Sequence, residues 1–175
     1  MYAMNKLTKT TIALATLVCS QLIFKVNFAV AQTESGKPSS DPRVASLLKQ
    51  MDIKYEIDSD GDYKVYVKLD KGRDQVIYIN SQTEKLNSFE IREIWSFGHT
   101  SKESFSADVA NKLLLESGST KLGAWAVVKS KQSYLAIYQA KIDASSDAKK
   151  LASAIIVVAQ AADDMEQSLT DKDEL

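Results

Sequence analysis

The chain has 175 residues, 45% hydrophobic and 26% charged, with 6 Gly and 2 Pro. That is the length of one domain with enough apolar material for a core, which excludes wholesale disorder. The formal net charge is −1 and no Lys/Arg-rich run appears, so neither the totals nor their patterning point to a nucleic-acid partner.

The first 31 residues carry Lys6, Lys9 and Lys25 and no acid. Lys6 and Lys9 form a positive n-region, Thr11 to Phe24 is mainly apolar, and Ala29-Val30-Ala31 places small residues at −3 and −1 of a cleavage site before Gln32. This is the grammar of a secretory signal peptide over 1–31. The apolar stretch is shorter than the ~20 residues that cross a bilayer, and Lys25 and Asn27 interrupt its extension to Val30. Left uncleaved, this segment would be the chain's only membrane contact. Cleavage leaves 144 residues, 19 basic against 23 acidic, for a net of −4. It also removes Cys19, where Val18 stands in place of the small residue usual before a lipidated cysteine. The expected product is periplasmic or secreted, and it relies on its core without disulfides. The tail, 170–175, ends in Lys172-Asp173-Glu174-Leu175, which is an ER-lumen address in a eukaryotic host and a charged end otherwise.

Residues 32–40 are polar, with Gly36 and Pro38, and read as a flexible leader to a domain over 41–169. Asp41 then caps a helix with Pro42 at its first position. Val44, Leu47, Leu48 and Met51 share one face of it. Tyr63, Val65, Val67 and Leu69 alternate with Lys64, Tyr66 and Lys68, a strand pattern between the turn residues Asp60-Gly61 and Lys71-Gly72. Val76 to Ile79 reads as a more buried strand, Ser81 to Ser88 as a polar connection, and Phe89 to Phe97 as a strand.

Ser106 caps a second helix, with Val109, Leu113 and Leu114 on one face and Gly118 placed to end it. Strands Ala124 to Val128 and Tyr134 to Ile142 follow. The last helix starts near Ser146 and carries Leu151, Ile155, Val158, Ala162, Met165 and Leu169, with Ala152, Ile156 and Ala159 widening the stripe. The order is helix, three or four strands, helix, two strands, helix. Short turns make neighbouring strands antiparallel, which gives a two-layer α+β fold with helices packing the sheet.

Chemistry is sparse. In Asp58-Ser59-Asp60-Gly61-Asp62, a calcium loop aligned on Gly61 puts Glu56, Asp58 and Asp60 at its first ligand positions. The closing glutamate then falls on Val67, so a hairpin turn is the better reading. His99, the only histidine, lies near Ser101 and Ser104, without a G-x-S-x-G elbow. One histidine and no mature cysteine exclude the usual zinc sets. No phosphate-binding Gly-rich loop is present. No catalytic residue, metal ligand or cofactor is therefore expected.

Glu93 shares a strand face with Ile91, Trp95 and Phe97, while Arg92 points the other way. A carboxylate there needs a cross-strand Lys or Arg, or a pocket. Most of Trp95, Phe97, Trp125, Tyr134 and Tyr138 are expected in the core. A subset would line a binding face, because three helices cannot cover both sides of a sheet. Glu93, Trp95 and Trp125 are the candidate binding residues.

Leu47-Leu48 leading to Ile53-Lys54-Tyr55-Glu56, the Asp60-Gly61-Asp62 turn, Glu90 to Trp95, Ala107 to Leu114 and Lys121-Leu122-Gly123-Ala124-Trp125 together resemble the YbjN-like family, as does the closing helix with Ala161-Ala162-Asp163. That family is described as bacterial sensory transduction regulators with a fold similar to type III secretion chaperones. The resemblance spans roughly Val44 to Leu169. It implies an α-β-β-β-α-β-β-α order and no catalytic residues, and the export signal departs from a cytoplasmic role. The expected function is a non-catalytic, chaperone-like or regulatory module acting on a protein or peptide partner. A small hydrolase using His99 is the alternative. The doubled stripe of the last helix adds the expectation of a homodimer.

Overall fold

The computed structural model describes residues 39–170. The expected export signal with Cys19, the expected leader up to residue 38, and residues 171–175 of the tail lie outside the described residues.

Helix α1 (Pro42–Gln50) starts as its sequence requires: the Asp41 carboxylate accepts the Arg43 N–H at 2.9 Å, and Pro42 follows it. Five strands come next, β1 (Tyr55–Ile57), β2 (Tyr63–Lys68), β3 (Asp74–Ile79), β4 (Glu84–Leu86) and β5 (Phe89–Ser101). Then come α2 (Ala107–Ser119), β6 (Ala124–Lys129), β7 (Tyr134–Asp143) and α3 (Ala148–Thr170). The strands form one antiparallel sheet in the order β1-β2-β3-β5-β7-β6, with β4 paired to the start of β5. Helices pack against it, so the fold is α+β with two layers.

Three local expectations change. Between the first two helices there are five strands rather than three or four. The added β1 and β4 have three residues each, too few for alternation to show. The Ser81 to Ser88 connection contains β4, which turns into β5 through Asn87 at φ 54°; asparagine tolerates that left-handed conformation better than most residues. Gly118 lies inside the last turn of α2, which is capped by Thr120, and Leu114 is 69% exposed while Leu113 is buried.

One face of the sheet carries the core. Tyr63, Ile79, Ile94 and Ala140 form a row across β2, β3, β5 and β7, and all four are buried. Against this face lies α3, through Leu151, Ala154, Ile155, Val158 and Met165. Each large apolar side chain buried there contributes about 1.5–3 kcal/mol. Residue 98 must be glycine: a Cβ would stand 2.3 Å from the ring of Trp125, and a register shift between Phe97 and His99 makes room for it. The outer edge strand β6 is partly closed by α2, because Ser117 Oγ accepts the N–H of Trp125 at 2.8 Å.

Polar groups on the covered face are tied into networks. The Arg92 guanidinium, with its side chain 3% exposed, binds Asp41 and the carbonyls of Asn80 and Ser81. It joins the start of α1 to the sheet. Arg73 binds Asp163 and Glu166 on α3; Gln75 donates to Glu166 at 3.3 Å, and its amide oxygen lies 2.9 Å from Ser96 Oγ. Among the described residues no buried side-chain nitrogen or oxygen lacks a hydrogen-bond partner.

Candidate functional site

The site begins with an inversion in β5. Its covered face presents Arg92, Ile94 and Ser96, all buried. The opposite face presents Ile91, Glu93, Trp95 and Phe97, all half-buried. The more apolar side of the strand is thus the one that no described helix covers. Burying Arg92 and Ser96 requires the hydrogen bonds described above, and leaving Trp95 and Phe97 partly in water forgoes part of the stabilisation that core burial would give.

Neighbouring strands add to that open face. Tyr78, directly opposite Trp95 across β3–β5, stacks on it with centroids 4.2 Å apart and planes at 9°. Phe97 meets Trp95 edge-on at 5.0 Å and Tyr78 at 5.8 Å. The Trp95 indole N–H donates to Asn80 Oδ1 at 2.9 Å, which fixes the ring. Tyr66 pairs with Val76 across β2–β3, and Phe97 pairs with Ile137, which pairs with Ala126. The face therefore carries an apolar band running across the strands from Tyr66, 52% exposed, to β6, where Val128 is 42% exposed. The Lys64 ammonium lies 5.6 Å from the Tyr66 ring and 5.9 Å from that of Tyr78, and hydrogen bonding to Tyr66 raises its pKa.

Of the three candidate binding residues, Glu93 and Trp95 lie on this face. Glu93 Oε2 stands 3.7 Å from Lys141 Nζ, directly across β5–β7. The partly exposed pair contributes under about 1 kcal/mol and answers the need for a partner that the sequence raised. Trp125 is corrected to the core: it is 8% exposed on the opposite face, meets Tyr138 edge-on at 5.3 Å, and donates its indole N–H to Glu116 at 3.0 Å. Tyr66 and Tyr78 were not singled out from the sequence. Their signal was available, since each occupies the alternate position of a strand whose other face is apolar.

His99 packs on Phe105 with ring centroids 5.5 Å apart, and burial lowers its pKa. Ser101 Oγ accepts the Glu103 N–H at 3.2 Å, a turn contact. In the Asp58–Asp62 segment, Asp58 Oδ1 accepts the N–H groups of Asp60 and Asp62, and Asp62 Oδ1 accepts that of Ser81; the segment is a hydrogen-bonded hairpin turn. Among the described residues no group of three or more His, Cys, Asp or Glu side chains could hold a metal ion, and no helix is long and apolar enough to cross a membrane.

No family model matches the chain, and neither a curated protein nor a solved structure matches it.

Proposed function

We propose that the chain is an exported, non-catalytic binding module that docks an apolar or aromatic segment of a protein or peptide partner on its open sheet face. The observation that carries this reading is the inverted β5: aromatic residues face outward while arginine and serine are buried beneath the helices. The band is about five strands wide at roughly 4.8 Å per strand. With two rows of side chains it offers on the order of 300–400 Å², well under the ~800 Å² per partner of a stable protein interface. Such an area fits a short segment better than a large rigid partner. The resemblance to the YbjN-like family supports a chaperone-like or regulatory role, and the N-terminal signal supports action in the periplasm or outside the cell.

Panning a random-peptide display library on the protein tests this. Recovered peptides should be rich in aromatic and aliphatic residues and should lose binding to a Phe97→Ser variant whose circular dichroism is unchanged. Peptides that bind Phe97→Ser as well as the parent would place the interaction elsewhere.

A further inference from the structure

We infer that the chain docks on an anionic lipid surface through the C-terminal half of α2 and the adjoining end of β6. This is a second membrane contact, beside the one that an uncleaved N-terminal segment would make. It is separate from the open sheet face. Helix α2 lies on the covered side, where Leu113 joins the core, and Glu116 and Ser117 accept the indole and backbone N–H groups of Trp125.

The first observation is apolar surface that the monomer does not use. Leu114 and Leu115 are 69% and 76% exposed, the two most exposed large hydrophobic side chains among the described residues. Val127 alternates with Trp125 onto the α2 side of β6 and is 50% exposed. Leu113 already holds α2 to the sheet, so the two leucines beside it contribute little to the fold. Apolar side chains gathered at the surface mark a contact site.

The second observation is the charge around that patch. From Val109 to Leu135 the chain has four lysines, Lys112, Lys121, Lys129 and Lys131, and a single acid, Glu116, although its formal net charge is −1. Lys121, Lys129 and Lys131 are exposed. Glu116 is turned towards the Trp125 indole, whose N–H lies 3.0 Å from its carboxylate. Lys112 precedes Leu115 by three residues and so neighbours it on the helix surface. Lys129 follows Val127 on the same side of β6.

Leucine beside lysine is the chemistry of an element that lies in a membrane interface. The apolar side chains enter the headgroup boundary, and the lysine stems lie along it with their ammonium groups at the lipid phosphates. The core of a protein interface, by contrast, is depleted in lysine. With 13 residues α2 is too short to span a bilayer, so it lies along the surface. Asp108, in its first turn, is repelled by anionic headgroups. The helix therefore tilts, and its C-terminal half with Leu114 and Leu115 enters.

Co-sedimentation of the whole protein with vesicles tests this. Vesicles of phosphatidylglycerol and phosphatidylethanolamine should carry the protein down, and vesicles of phosphatidylcholine alone should not. Raising the salt from about 0.05 M to about 0.5 M should release it. The paired substitutions Leu114→Ser and Leu115→Ser should weaken binding about a hundredfold with the circular dichroism unchanged. Lys129→Gln with Lys131→Gln should weaken it about thirtyfold. Residues 1–31 are identical in every variant, so binding that survives either pair of substitutions arises elsewhere and overturns the inference. No binding to the anionic vesicles, or equal binding to the two kinds, also overturns it. So does self-association in the absence of lipid that the leucine pair abolishes, because a second copy would then be the occupant.

Discussion

The two faces of the sheet follow opposite rules. The covered side buries polar groups and satisfies each of them; Arg92, Gln75 and Ser96 of the sheet and Glu166 of α3 lie at 2% exposure or less. The open face keeps Tyr66, Tyr78, Trp95 and Phe97 partly in water. Stability alone would favour the reverse arrangement, since a buried polar group needs compensation and a buried ring does not. The difference separates what holds this fold together from what is available to a partner. Substitutions should divide along the same line.

The largest effect is expected at Ile94, fully buried in the middle of the covered face. Ile94→Ala should destabilise by about 4 kcal/mol, from lost transfer free energy plus the cavity, read by chemical denaturation. Arg92→Ala should cost about 3 kcal/mol, because it strands the carbonyls of Asn80 and Ser81 and removes one partner of Asp41, which keeps Arg43. Gly98→Ala should cost about 1–3 kcal/mol as Trp125 is displaced, with a changed near-ultraviolet circular dichroism of that indole. On the open face, Phe97→Ser removes two edge-on ring contacts and should cost about 2 kcal/mol, while partner binding is lost. A Phe97→Ser loss as large as that of Ile94→Ala would erase the distinction between the faces.

Acid should act through the network at α1. Burial works to raise the Asp41 pKa, but hydrogen bonds from Arg43 and Arg92 outweigh it and hold the carboxyl well below the usual range. Glu90, bonded by Arg43 and Thr83, is lowered to about 2. A carboxylate depressed in the folded state contributes stability that is present above its unfolded pKa and is lost as the pH falls through the folded one. Melting temperature should therefore drop from about pH 4 towards pH 2, and Arg43→Ala should flatten that drop. Asp62, raised mainly by burial, works in the opposite sense and softens the slope.

Much of this was legible in the sequence. The caps at Asp41 and Ser106, the helices and the longer strands follow from short-range chemistry, and the structure has them. Strand alternation states which residues share a face, but not which face the helices cover. That is why Trp125 was grouped with Trp95 when the sheet separates them. The apolar side of β5 looks like core until Arg92 is seen bound to Asp41, 51 residues away. Leu114 followed the helical period as well as Leu113 did, and only the position of α2 against β6 decides between them.

The chain has two tryptophans, one on each face, so the accessibility of each reports directly on the claim that one face is open. In a Trp125→Phe variant only Trp95 emits, and in a Trp95→Phe variant only Trp125 does. Iodide should quench the Trp95 emission readily in the free protein and leave the Trp125 emission nearly unchanged, and adding a peptide recovered from the display library should protect Trp95. Equal protection of the two indoles in the free protein would contradict the account, because the open face would then already be covered.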